Sequence, residues 1–175
     1  MTDGRRLHIP TARSARRALK VFVPLLVIGA VVALDAQSGE LRIAPDEVSW
    51  PAATAGAVGT SGVSGIQTVV LKGDPAKPGL YTLLLRVGPN TRIDPHAHPD
   101  DRVAAVISGT WYFGYGRAFS EAALKALPPG SVYTEPPNGN HFAATRGEGV
   151  VIQITGTGPS GTTYVDPGND PARRR

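Results

Sequence analysis

The 175-residue chain carries a formal charge of +4, is 41% hydrophobic and only 18% charged, which suits one domain with a packed core and excludes a wholly disordered polymer. Its 21 glycines and 16 prolines, about one residue in five, favour turns and exclude an all-helical bundle. With no cysteine there is no disulfide framework, thiolate zinc site or cysteine nucleophile, so any metal must rest on His, Asp or Glu.

Residues 1–36 hold six basic residues (Arg5, Arg6, Arg13, Arg16, Arg17, Lys20) against Asp3 and Asp35, followed by an apolar run over 21–34 and small residues at Ala33 and Ala36. This is the outline of a secretory leader. A cleaved signal peptide is one reading; an uncleaved N-terminal anchor is the other, because Leu34 and Asp35 make an imperfect cleavage region. The apolar run falls short of the roughly 20 residues of a stable span and contains Pro24. The Arg16–Arg17 pair also permits a twin-arginine export signal. Each reading puts the body outside the cytoplasm, in the periplasm or the medium. The leader leaves twelve of the 18 basic and twelve of the 14 acidic residues to the rest of the chain. No basic stripe with interleaved aromatics remains there, so neither nucleic acid nor, apart from the anchor, a membrane is an expected partner.

Residues 37–65 are rich in Ala, Gly, Ser and Thr, with 52–65 lacking periodicity and 45–50 the one local feature, and read as a flexible approach segment. Short apolar or alternating runs then predict strands over 66–71, 80–87, 103–107, 110–113, 131–134 and 150–155, separated by Gly-, Pro- and Asn-rich turns. One short helix is expected over 121–127, with Ser120 as its N-cap and Pro128 and Pro129 as its stop. Residues 169–175 read as a frayed basic tail. Many short strands with one minor helix indicate an all-β sandwich or barrel over 66–168.

Three of the four histidines fall in two short segments, Pro95-His96-Ala97-His98-Pro99 and Asn140-His141-Phe142. In an extended segment residues i and i+2 share a side, so His96 and His98 can present both imidazoles to one ion, with His141 supplying a third from the start of the next strand. Neutral imidazoles suit a divalent zinc, iron, copper, nickel or manganese ion.

Residues 88–109 read G-x7-H-x-H-x10-G and residues 130–141 read G-x5-P-x4-H. Together they resemble the two motifs of the cupins, and the phrases at 71–75, 108–112 and 164–167 resemble a subgroup of small bacterial cupins of unassigned activity. The resemblance implies a jelly-roll barrel, a double-stranded β-helix, that holds a divalent metal, with His96, His98 and His141 as the motif histidines. It also implies a homodimer paired through an exposed sheet edge, whose unpaired backbone groups give the physical motive. Two positions depart from the pattern. Asn138 stands where Gly is usual. Arg102 stands where the metal-binding glutamate is expected, and a guanidinium cannot ligate a cation. Either Asp101 or Asp100 reaches the metal by a shift of register, or the site is three His and water, or Arg102 takes an anionic ligand.

Alternation along 131–135 places Tyr133 and Glu135 on one face, and if that face is the interior Glu135 becomes a second-sphere acceptor, an acid/base or a fourth ligand. Arg102, Tyr112 and Tyr133 are candidate substrate-binding groups. The functional expectation is a metalloenzyme acting on a small molecule, an oxygenase with iron or an isomerase or hydrolase with zinc. The alternatives are a barrel that holds a small molecule unchanged, or one whose metal serves stability alone.

Overall fold

The computed structural model describes Met1 and residues 40–53 and 56–173; the expected leader beyond Met1 and the last two arginines lie outside the described residues. The described residues form ten strands: β1 (Gln67–Lys72), β2 (Gly79–Val87), β3 (Arg92–Ala97), β4 (Arg102–Ser108), β5 (Trp111–Tyr115), β6 (Lys125–Leu127), β7 (Val132–Glu135), β8 (His141–Ala144), β9 (Val150–Gly158) and β10 (Thr163–Tyr164). They form two five-stranded sheets in the orders β1-β2-β9-β4-β7 and β10-β3-β8-β5-β6, with every pairing antiparallel. This is the expected all-β jelly roll. Among the described residues no helix is long and apolar enough to cross a membrane.

Alternation explains which side chains meet between the sheets. From β2, Tyr81, Leu83, Leu85 and Val87 enter the core, and from β9 Val150, Ile152 and Ile154; these two strands pair without a break from Gly79↔Gly158 to Val87↔Val150. The opposite sheet contributes Ile93, Trp111, Phe113 and Ala143 to the same core. Burying apolar side chains of this size stabilises the fold by about 1.5–3 kcal/mol each before the entropic cost of ordering them.

The expected helix over 121–127 is not formed. Glu121–Ala123 makes one 3-10 turn, Ser120 gives no side-chain cap, and residues 125–127 instead form β6 against Trp111–Phe113. Seven residues are too few to nucleate a helix cheaply, and Pro128 biases Leu127 toward extended backbone. At the C-terminus, Pro167–Asn169 at the end of the expected barrel and Pro171–Arg173 within the tail expected to fray each form a 3-10 turn. Asp166 and Asp170 each accept a backbone N–H two residues on.

Candidate metal centre

His96 lies in β3 and His98 one residue beyond its end, so the i, i+2 relation turns both imidazoles into the barrel. His141 opens β8 directly opposite His96 in the β3–β8 register. All three rings are buried, with centroids 4.4–5.3 Å apart, and one ring nitrogen from each lies within 4.8 Å of the others.

Backbone carbonyls settle which nitrogens face inward. The Nδ1–H groups of His96, His98 and His141 donate to the carbonyls of Asp94 (2.8 Å), Gly161 (2.6 Å) and Gly139 (2.9 Å). Since a carbonyl only accepts, each neutral ring carries its proton on Nδ1 and leaves an Nε2 lone pair facing the cluster. Burial lowers the pKa of all three histidines, that of His96 to about 3, and the neighbouring Arg102 guanidinium adds to the effect. The rings are therefore neutral at ordinary pH, the form that binds metal. His141 Nε2 is buried with no hydrogen-bond partner. Three converging lone pairs with no donor among them fit a divalent cation.

Beside the imidazoles lies a buried ion pair. Arg102 opens β4 and Glu135 ends β7; they are register partners, and Arg102 Nη2 contacts Glu135 Oε2. The same carboxylate oxygen lies 3.7 Å from His141 Nε2 and 3.9 Å from His98 Nε2. Glu135 therefore points inward, as the alternation with Tyr133 anticipates. Burial works against the guanidinium charge, but Glu135, Tyr81 and Asp100 together more than offset it, so the pKa is raised. Tyr133 also lines this cavity; its hydroxyl is buried without a hydrogen-bond partner, and burial followed by the Glu135 charge raises its pKa well above the ordinary value.

Other expected site residues lie elsewhere. Asp101 is exposed, because alternation along β4 turns Arg102 inward and its neighbour outward, and it is not among the clustered ligand atoms. Asp100 is buried but accepts a hydrogen bond from Tyr81 Oη at 2.7 Å. Neither aspartate replaces the missing glutamate. Arg102 is engaged by Glu135 of its own chain rather than open to an anion. Tyr112 alternates with the buried Trp111 and Phe113, faces outward and lies under the Arg146 guanidinium.

The segment expected to be a flexible approach supplies part of the site wall. Gly59, Thr60 and Ser61 are buried. The Gly59 carbonyl accepts from Arg102 Nη1 at 2.8 Å, the Thr60 carbonyl from Thr162 Oγ1, and the Ser61 carbonyl from Tyr164 Oη. Tyr164 in turn stacks on His96. The remaining cavity of about 30 Å³, lined by these residues, the imidazoles and the Arg102–Glu135 pair, has room for about one water.

The architecture matches solved structures. One is described as that of the DMSP lyases RdDddP and RnDddQII (21% identity, 67% of this chain, 62% of that chain, TM-score 0.51). The DMSP lyase DddQ from Ruegeria pomeroyi DSS-3 matches at 16% identity over 66% of this chain and 60% of its own, with a TM-score of 0.51. A cupin 2 domain-containing protein from Halorhodospira halophila matches at 20% identity over 63% of this chain and 82% of its own, with a TM-score of 0.49. The likeness shows the fold alone, the double-sheet jelly roll described above. This chain spans less than two thirds of either lyase chain, so the likeness carries the barrel and not the reaction. No family model matches the sequence, and no curated protein does.

Proposed function

We propose that this chain is an exported cupin that binds one divalent metal ion through His96, His98 and His141 and uses it to transform a small molecule. The observation that carries the reading is the convergence of three Nε2 lone pairs, each fixed by an Nδ1–H bond to a carbonyl, in a buried cavity. A metal held there supplies Lewis acidity and lowers the pKa of bound water.

The chain's own groups divide the remaining work. Glu135 is the carboxylate that reaches the imidazoles, and Arg102 holds it in place. Tyr133 keeps its proton at neutral pH and offers an unpaired O–H to negative charge developing in the cavity. Oxygenase, isomerase and hydrolase chemistry fit such a centre, and lyase activity joins them because two of the matched structures are of DMSP lyases. The small volume of the cavity, about 30 Å³, favours one second reading, a metal that stabilises the barrel without turnover.

The test is to incubate the protein, metal-stripped and separately loaded with zinc, iron, copper, manganese or nickel, with a panel of small molecules that includes DMSP. Loss of a panel compound, or uptake of dioxygen, in one loaded form and not in the stripped form or in His98→Ala supports the enzyme. A panel left unchanged by every loaded form favours the stabilising metal. Export is tested by N-terminal sequencing of protein from the producing cell: a start between residues 34 and 40 supports a cleaved leader, and an intact Met1 leaves only the anchor.

A further inference from the structure

The metal cavity, at about 30 Å³, holds about one water, so a small molecule that meets the metal must first dock outside it. Two larger cavities adjoin it. One, of about 230 Å³, lies beyond Gly59, Thr60 and Ser61, which line both. The other, of about 390 Å³, lies beyond Phe113 and Tyr133 and has Lys125 on its wall.

The two partitions are held differently. Phe113 and Tyr133 project from β5 and β7, pack ring against ring at 4.3 Å and belong to the hydrophobic core. Residues 56–62 belong to no strand. They form a strap that the Gly56 N–H closes on the Gly62 carbonyl at 3.1 Å, with φ of +82° at Gly56 and +75° at Gly62. Donors from Arg102, Thr162 and Tyr164 tie its carbonyls to the barrel. A few hydrogen bonds at about 1 kcal/mol each release more readily than a packed core, and a glycine at either end gives the strap its hinges.

Among the described residues, the one charged side chain on the outer cavity is that of Asp170, whose Oδ1 accepts the Ala172 N–H and whose Oδ2 lies 3.8 Å from Arg173 Nε. An anion finds no cation on that wall. The hydroxyls of Ser61 and Ser160 line it and are buried with no hydrogen-bond partner. Such groups are rare, and they cost free energy until something that both donates and accepts meets them.

We propose that the cavity outside the 56–62 strap is the docking site of the substrate, an uncharged small molecule bearing hydroxyl or amide groups, which meets the metal when the strap lifts. This rests on the metal-binding reading above.

The test uses cobalt(II)-loaded protein, whose visible bands change when a hydroxamic acid binds the ion. The probes share one skeleton: succinic monohydroxamic acid, an anion at neutral pH, and its carboxamide. The chain has no cysteine, so Val58→Cys and Val132→Cys each offer one exposed thiol, the first on the outer cavity and the second on the Phe113–Tyr133 side. Each is labelled with benzyl methanethiosulfonate before loading. In unlabelled protein the carboxamide should bind at least about tenfold faster than the carboxylate. The label at position 58 should slow it about tenfold or more and the label at position 132 by less than about twofold, while Thr162→Val/Tyr164→Phe, which frees the strap, should speed it about tenfold. Equal rates for the two probes overturn the ligand class. Slowing by the label at position 132 alone, or no acceleration in the loosened variant, overturns the docking site. Protein that takes up no cobalt(II) overturns the metal reading, whereas normal uptake with the wrong rates overturns this proposal alone.

Discussion

His96 and His141 are register partners across β3 and β8, with ring centroids 4.4 Å apart and both Nδ1–H groups tied to carbonyls two residues away in sequence. The sheet itself thus brings two imidazoles together, and the local carbonyls set their tautomers before any ligand arrives. The cost of this arrangement is paid in acid.

An unfolded histidine titrates near 6.5, whereas burial holds folded His96 to about 3 and lowers His98 and His141 as well. Below about 6.5 the unfolded chain binds protons that the folded chain refuses, so stability is fully present above that pH and falls as acid is added. His96 adds no further loss once the pH is below about 3. Metal-stripped protein should lose about 1.4 kcal/mol per pH unit on account of His96 between about pH 6.5 and about 3, with His98 and His141 adding losses in the same direction. Urea unfolding between pH 7 and pH 4 checks this, and a midpoint independent of pH contradicts it.

Arg102 and Glu135 form a pair that is cheap to keep and expensive to split. Arg102→Met alone leaves a buried carboxylate without its partner and should destabilise the metal-stripped protein by about 3–5 kcal/mol. Arg102→Met/Glu135→Gln should recover most of that loss. Equal stability of the single and double variants, measured by chemical denaturation, argues against the coupling.

The wall formed by Gly59–Ser61 closes the cavity through a few side-chain bonds. Thr162→Val/Tyr164→Phe removes the donors to the Thr60 and Ser61 carbonyls while keeping the ring that stacks on His96. At about 1 kcal/mol for each bond, the open state should become about tenfold more populated or more. Zinc transfer to a colorimetric chelator should accelerate to match. An unchanged rate means that the metal leaves by another route.

Gly109 has a φ of +72°, and a Cβ there would lie 2.2 Å from the Gly149 carbonyl oxygen. Gly109→Ala should therefore cost at least about 2 kcal/mol. Gly147, with nothing within 4 Å of its would-be Cβ, should tolerate Ala within about 0.5 kcal/mol. Thermal unfolding of the two variants makes the comparison.

Much of this architecture was legible in the residues because it follows from local rules. The i, i+2 spacing of His96 and His98 predicts a shared face, and the alternation of Tyr133 with Glu135 predicts that the two travel together. Asn138 holds a φ of 58°, as its place in the motif requires of a residue that tolerates the left-handed region. What escaped is non-local. No pattern within 102 or 135 says that they are cross-strand partners, because register is fixed only when two strands meet. Residues 56–65 carry no periodicity, since backbone carbonyls rather than side chains bind them to the barrel. Strand β3 was hidden by Asp94-Pro95, a breaker that the structure accommodates where the β3–β8 register shifts.

The central claim is that three imidazoles hold one ion. Elemental analysis of purified protein beside His141→Ala, each loaded and then freed of loose metal by gel filtration, tests it most directly. About one divalent ion per wild-type chain and almost none in the variant is the predicted result; equal metal content in the two contradicts it.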